Sequence, residues 1–188
     1  MRIISGNFKG KKILLPKDKL TRPLKDLTKE SIFNILKHSK LLNIELESSN
    51  VLDLFSGVGS FGLECLSRGA KNVIFMESYT DVLSVLKKNI NNLNQQNQTK
   101  VIEKDIFAEN TLKLLNDKFD IIFMDPPYKE KKLSFLLNTI TELELLNTDG
   151  VIIIHRHKKE EDDLPKAFNL ILEKNYGISK IIFGNILT

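Results

Sequence analysis

Between residues 51 and 155 the chain repeats one pattern: a short apolar run, a polar break, then a longer stretch with apolar residues at helical spacing. The apolar runs at 51–55, 72–76, 99–103, 119–124 and 151–155 read as strands, while 59–68, 80–94, 108–116 and 131–146 carry the helical period. Strands separated by helices imply βαβ units and a mostly parallel sheet covered on both faces. The tail departs from this rhythm. Segments 168–173 and 180–186 face each other across Asn175, Tyr176 and Gly177, which predicts an antiparallel closing hairpin. Upstream, alternation in Arg2, Ile3, Ile4 and Ser5 and again in Lys12, Ile13, Leu14 and Leu15, around Gly6 and Gly10, predicts a short β-hairpin or two. Residues 16–23 form an irregular basic linker. Leu27, Ile32, Ile35, Leu36 and Leu41 then give a helical stripe that starts near Thr28, the expected N-cap. Residues 44–50 make a polar connection, and the Asn- and Gln-rich stretch 89–98 reads as a helix end and loop.

Composition narrows the class. The chain has 188 residues, enough for one domain with a sizeable core and a small appendage. Its only cysteine, Cys65, excludes an intrachain disulfide and gives no sign of a stapled, secreted fold. No run approaches the roughly 18 apolar residues of a membrane helix, and the N-terminus lacks an apolar signal core. These features predict a soluble, cytoplasmic protein. The net charge of +4 hides an uneven distribution. Residues 1–40 hold eleven Lys and Arg against three Asp and Glu, a local +8, and the remainder, with 17 basic and 21 acidic residues, is −4. A basic segment on a mildly acidic body suggests contact with a polyanion at one end; the other reading is an ordinary solvated surface.

The first strand runs into Ser56–Gly57–Val58–Gly59–Ser60–Phe61–Gly62, a G-x-G-x-x-G loop opening a helix, and Glu77 follows at the end of the second strand. Those are the parts of a nucleotide fingerprint, with glycines for a tight turn and an acid for ribose hydroxyls. Asp53 helps to choose the nucleotide. Four residues before Gly57, its carboxylate would repel a pyrophosphate but favour the ammonium and sulfonium of S-adenosylmethionine (SAM). The other reading of Asp53 is a turn cap. Asp105, where the third strand ends, could accept a hydrogen bond from the adenine amino group, with Ile106 or Phe107 packing on the ring, or could simply cap a helix.

The fourth strand ends in Asp125–Pro126–Pro127–Tyr128. Two prolines stop the strand and remove two backbone donors, so the nearby carbonyls are expected to face a ligand. A carboxylate and a proline carbonyl beside an aromatic ring suit a planar base bearing an exocyclic amine. Such an amine is a poor nucleophile, because its lone pair is delocalised into the ring. Hydrogen bonds to Asp125 and the carbonyl would favour a more tetrahedral nitrogen, whose lone pair is freed for in-line attack on a methyl group.

Together the Asp53–Gly62 loop, the following Leu63–Glu64 and Ser67–Arg68–Gly69–Ala70, and the motif Asp125–Tyr128 resemble the bacterial 16S ribosomal RNA guanine-N2 methyltransferases, the RsmD-like family. Met1–Arg2–Ile3–Ile4–Ser5–Gly6, Lys9–Gly10–Lys11–Lys12, Arg22–Pro23 and the 29–36 block extend the likeness over nearly the whole chain. It departs from the family at Leu24 and Lys29, where Thr and Arg are usual, and matches it poorly at Gly184 and Asn185. The resemblance implies an α/β fold of the class I methyltransferase (Rossmann-like) type, a seven-stranded mixed sheet with helices on both faces and an N-terminal β-hairpin extension. It implies a division into a basic extension, 1–43, and a methyltransferase domain, 44–188, acting as a monomer. It also implies SAM as donor, no metal, and 16S rRNA or the small ribosomal subunit as partner. Asp125, Pro126, Pro127 and Tyr128 would be catalytic. Asp53, Phe55, Ser56, Gly57, Gly59, Ser60, Phe61, Glu77, Asp105, Ile106 and Phe107 would hold the cofactor. Arg2, Lys9, Lys11, Lys12 and Arg22 would bind RNA phosphates. A DNA adenine-N6 methyltransferase and a non-catalytic rRNA-binding assembly factor are the alternatives. His155 and His157 flank Arg156 as an H-x-H pair but lack a third ligand, and read as surface or strand-end residues. His38 is a polar position near a helix end, Cys65 a small core residue, and residues 158–163 a solvated loop of mixed charge.

Overall fold

A computed structural model describes residues 1–17 and 24–187. Seven strands form one sheet: β1 (Asn50–Leu54), β2 (Asn72–Met76), β3 (Thr99–Ile102), β4 (Phe119–Met124), β5 (Leu146–His157), β6 (Phe168–Tyr176) and β7 (Ser179–Ile186). Their order is β3-β2-β1-β4-β5-β7-β6. Neighbours from β3 to β5 run parallel, while β7 is antiparallel to both β5 and β6. The sheet is therefore mixed, as the strand pattern predicts, and the closing hairpin is present. Four α-helices among the described residues cover it: α1 (Asp26–His38), α2 (Ser60–Ser67), α3 (Thr80–Asn92) and α4 (Leu133–Glu142). Among the described residues, no helix is long and apolar enough to cross a membrane.

Alternation along the strands sends side chains to two cores. On one face Val51, Val73, Phe75, Phe123 and Ile153 pack with residues of α1, α2 and α3. On the other, Leu52, Leu54, Ile122, Met124 and Ile152 pack with Leu136, Leu137 and Ile140 of α4. Helix α2 is buried along its whole length, including its polar stripe of Ser60, Glu64 and Ser67. Its outer side is covered by the N-terminal segment. Met1 Sδ accepts the Ser60 hydroxyl at 3.0 Å. Glu64 accepts the Ile4 and Ser5 amides at 2.8 and 3.0 Å, and the Ser67 hydroxyl accepts the Phe8 amide at 2.9 Å. Ile3 and Ile13 join the same core as the sheet. Gly6 makes this close approach possible: its φ is +80°, and a Cβ there would lie 1.8 Å from the Ser67 carbonyl oxygen.

Several local expectations change. Residues 108–116 form no α-helix; the backbone turns left-handed at Asn110 (φ 59°), and only a 3-10 turn, Leu112–Leu114, follows. Thr28 is not a cap but a buried residue inside α1, which starts two residues earlier, and Leu27 and Leu41 lie exposed off its apolar stripe. Strand β5 starts at Leu146, the last residue of the helical pattern, and so takes in 147–150 as well, because Leu146 pairs with Phe119 across a register shift. The N-terminal hairpin is short: Arg2 and Lys12 form an antiparallel bridge, and the Ile3 and Ile13 amides donate to the Lys11 and Met1 carbonyls at 2.9 and 3.1 Å.

Candidate active site

The parallel strands deliver their C-terminal ends to one edge of the sheet. Leu54 of β1 pairs with Met124 of β4 on one side and Met76 of β2 on the other. The residues that follow them, Phe55 to Gly59, Glu77 and Asp125, therefore meet at the crevice where ligands bind in open α/β sheets. Phe55 (φ 58°) and Gly57 (φ 52°) turn the loop away from β1, and Gly59 (φ 83°) starts α2. Gly62 serves packing, since a Cβ there would meet Phe75 at 2.4 Å.

Two carboxylates hold this loop. Asp53 is buried beneath it and accepts the Gly62 amide at 2.9 Å. Burial pushes its carboxyl well above the usual range; Asp125 and Glu77 push the same way, and the Gly62 N–H opposes them. Glu77 is half-buried. One of its oxygens accepts the Gly57 amide at 2.8 Å, and the other accepts the Ser78 and Tyr79 amides that lead into α3. Asn89, from the Asn-rich stretch read as a helix end and loop, is buried within α3 and ties Val58 of the loop to Leu14 of the N-terminal segment. Of the other cofactor candidates, Ser56 is buried and Phe61 stacks between Phe33 and Phe123, at 5.2 and 4.0 Å. Phe55 and Phe107 lie 5.9 Å apart, and Lys132 sits 5.1 Å over the Phe107 ring. Asp105 is exposed and accepts the Phe107 amide at 2.9 Å, while Ile106 is buried.

At the end of β4, the Asp125 carboxylate is held by a histidine. His155 Nδ1 lies 2.8 Å from Asp125 Oδ1, and its Nε2 lies 2.9 Å from the Ser179 hydroxyl. His155 is thus buried and partnered, not a surface or strand-end residue. The carbonyl of Pro127 is not open to a ligand either, because it accepts the Glu130 amide and Arg156 Nη1, which uses both of its lone pairs. Arg156, fully buried, also donates to the Glu130 carbonyl and pairs with Asp162 at 2.8 Å. Residues 158–163 are therefore more than a solvated loop: Asp162 neutralises a buried cation, and Glu160 pairs with Lys131. The Tyr128 ring meets His157 edge-on at 5.2 Å and His155 at 6.2 Å. The H-x-H pair thus converges on the tyrosine. Strand register is the signal that links His155 to the site. Met124 pairs with Ile154, so Asp125 and His155 are the next residues on adjacent parallel strands.

Arg2, Lys9, Lys11 and Lys12 are exposed, and Arg22 lies outside the described residues. Lys29, counted in the basic segment, is not available to a polyanion. Its ammonium is buried, donating to the Arg2 carbonyl at 2.9 Å and pairing with Glu64 at 3.4 Å. Burial lowers its pKa from the usual lysine value, and Glu64 opposes that shift.

The family described as "Conserved hypothetical protein 95" matches residues 1–185. YlbH of Bacillus subtilis is 34% identical over 187 residues, covering 96% of each chain. The Haemophilus influenzae protein named "Ribosomal RNA small subunit methyltransferase D" is 30% identical over 183 residues, covering 95% of this chain and 90% of that one. The solved structure of yhhF from Escherichia coli aligns with a TM-score of 0.80 and 25% identity, covering 99% of this chain and 97% of that one.

Proposed function

Because the chain belongs to that family, the RsmD-like methyltransferases, and has their class I fold, we propose that it transfers a methyl group from SAM to the exocyclic N2 amine of a specific guanine in 16S rRNA. The observation that carries this reading is the meeting of the glycine loop after β1 with Asp125–Tyr128 after β4 on neighbouring strands. A cofactor seated on the first would have its reactive end beside the second.

The donor set suits SAM. Glu77 and Asp125, which follow β2 and β4, flank the glycine loop with Asp53 buried beneath it, so the crevice is acidic. Such a crevice attracts a sulfonium and an ammonium and repels a pyrophosphate. Phe55, Ser56, Gly57, Gly59 and Ser60 form the loop against the cofactor, with the buried Phe61 ring packed behind it, and Glu77 takes the ribose hydroxyls. Asp105 meets the adenine amino group, with Ile106 and Phe107 beside the ring. When bound, SAM supplies an electrophilic methyl group.

The rest is done by the chain itself. Asp125 is an acceptor when ionised, and with the Pro127 carbonyl already engaged, the Pro126 carbonyl is the second acceptor. Two acceptors select an exocyclic amine over a ring carbonyl. They hold its two hydrogens while Tyr128 stacks on the unstacked base. Arg2, Lys9, Lys11, Lys12 and Arg22 hold RNA phosphates, which position the duplex without reading its sequence.

The test is incubation with tritiated SAM and unmodified small-subunit particles. Label should appear in N2-methylguanine, and its absence overturns the assignment. Asp125→Ala should reduce turnover by about 100-fold or more while calorimetry still detects SAM binding. An active Asp125→Ala enzyme would remove the role given to that carboxylate.

A further inference from the structure

We propose that His155 is a positioning residue for Asp125, and that Ser179 sets the tautomer in which it works. The inference rests on the reading of Asp125 as the acceptor of the substrate amine.

Three residues from three strands or strand ends form one line: Asp125 after β4, His155 in β5 and Ser179 at the start of β7. Their exposure falls along it. The Asp125 side chain is 22% exposed and His155 8%, while Ser179 as a residue is 5% exposed. The line therefore begins in the crevice and ends in the protein. A histidine buried only for packing would find its partners among other buried groups. Here the ring reaches outward to a carboxylate that faces the crevice.

The chemistry fixes the direction of each bond. An ionised carboxylate only accepts, so Nδ1 carries the hydrogen donated to Oδ1. Neutral Nε2 then accepts, and the Ser179 hydroxyl donates to it. The serine thus favours the tautomer that the aspartate needs, as outer partners do for metal-bound histidines. With Oδ1 held, the carboxylate loses the broad two-fold rotation open to an unrestrained Asp, and Oδ2 is left to accept the amine. An amine whose lone pair must point in line with a methyl group tolerates little error in its acceptor, which is why a held carboxylate matters for turnover more than for binding.

Variants separate the two ring nitrogens. In His155→Gln the amide nitrogen falls where Nε2 was, so the bond to Asp125 is lost; in His155→Asn it falls where Nδ1 was. With tritiated SAM and unmodified small-subunit particles, His155→Gln should lower kcat by about 10- to 100-fold, with KM for particles and Kd for SAM changed less than about twofold. His155→Asn should recover about tenfold of that loss. Ser179→Ala, which keeps the imidazole, should lower kcat by a smaller factor at unchanged Kd for SAM. Wild-type turnover in His155→Gln overturns the inference, as does an equal loss in the Gln and Asn variants. If neither histidine variant folds, unchanged kcat in Ser179→Ala overturns it. An active Asp125→Ala enzyme is a different failure, because it removes the underlying reading of Asp125 whatever the histidine variants do.

Discussion

At Asp53 the carboxylate is sealed beneath the glycine loop with the Gly62 amide as its hydrogen-bond donor. Burial raises its pKa in the folded chain above the ordinary value of 3.8. A carboxyl raised on folding adds stability in full below the unfolded value, and that stability is lost as pH rises through the folded value. At neutral pH the folded chain therefore bears the cost of either a buried charge or a retained proton. Asn at this position keeps an oxygen for Gly62 and carries no charge. Asp53→Asn should thus be more stable than the parent chain at pH 8, with the gap narrowing toward pH 4, as urea unfolding at the two pH values would read. A parent chain more stable at pH 8 would reverse the sign. Sequence reading identified Asp53 as a residue of the site but not which way its carboxylate faces, because a strand pattern fixes the face and not the partner.

Among the elements, α2 shows how the N-terminal segment is joined to the body. Glu64 accepts two amides of that segment, pairs with Lys29 of α1 and receives Arg68 at 2.9 Å. The Arg68 guanidinium lies 4.4 Å over the Phe33 ring. Removing one member of such a buried group leaves the others uncompensated, so Glu64→Ala should cost about 3–5 kcal/mol. Urea unfolding measures the loss, and hydrogen exchange should show the Ile4 and Ser5 amides losing protection first. Exchange unchanged at those two amides would mean that the segment is held by other contacts. The other element of consequence is β5, whose successive residues His155 and Arg156 hold Asp125 and the Pro127–Glu130 turn respectively. Strands and most helices were legible from period alone. Residues 108–116 were not, because a left-handed turn at Asn110 overrides an amphipathic pattern.

For the molecule as a whole, the basic segment runs along α2 rather than standing apart from it. Met1 meets Ser60 at one end and Phe8 meets Ser67 at the other, a span of about 10 Å at helical rise. Arg2 and Lys12 thus lie nearer the crevice end of α2, and Lys9 nearer its far end. With Lys29 neutralised inside, the proposed polyanion contact falls to the exposed lysines and arginines. Replacing Lys9, Lys11 and Lys12 together by Ala should weaken RNA binding and reduce the slope of log K against log salt by about two. Filter binding across a salt series would show it, and an unchanged slope would move the RNA contact elsewhere.

By itself the sequence determined the alternation of strands and helices, the antiparallel closing hairpin, and the two loops that carry the site, because these depend on local period and on residue types with fixed backbone demands. A seven-stranded mixed sheet was implied by resemblance, while its order, and with it the meeting of those loops, stands in the tertiary structure. Only the tertiary structure decided the partners of buried charge. Lys29 was one of a basic segment, Arg156 had no role of its own, and His155 read as a surface or strand-end residue, until Glu64, Asp162 and Asp125 were brought to them from distant positions. The physical reason is one of range. Periodicity reports which face of an element is buried, whereas a buried ion pair or hydrogen bond depends on the register between elements far apart in the chain.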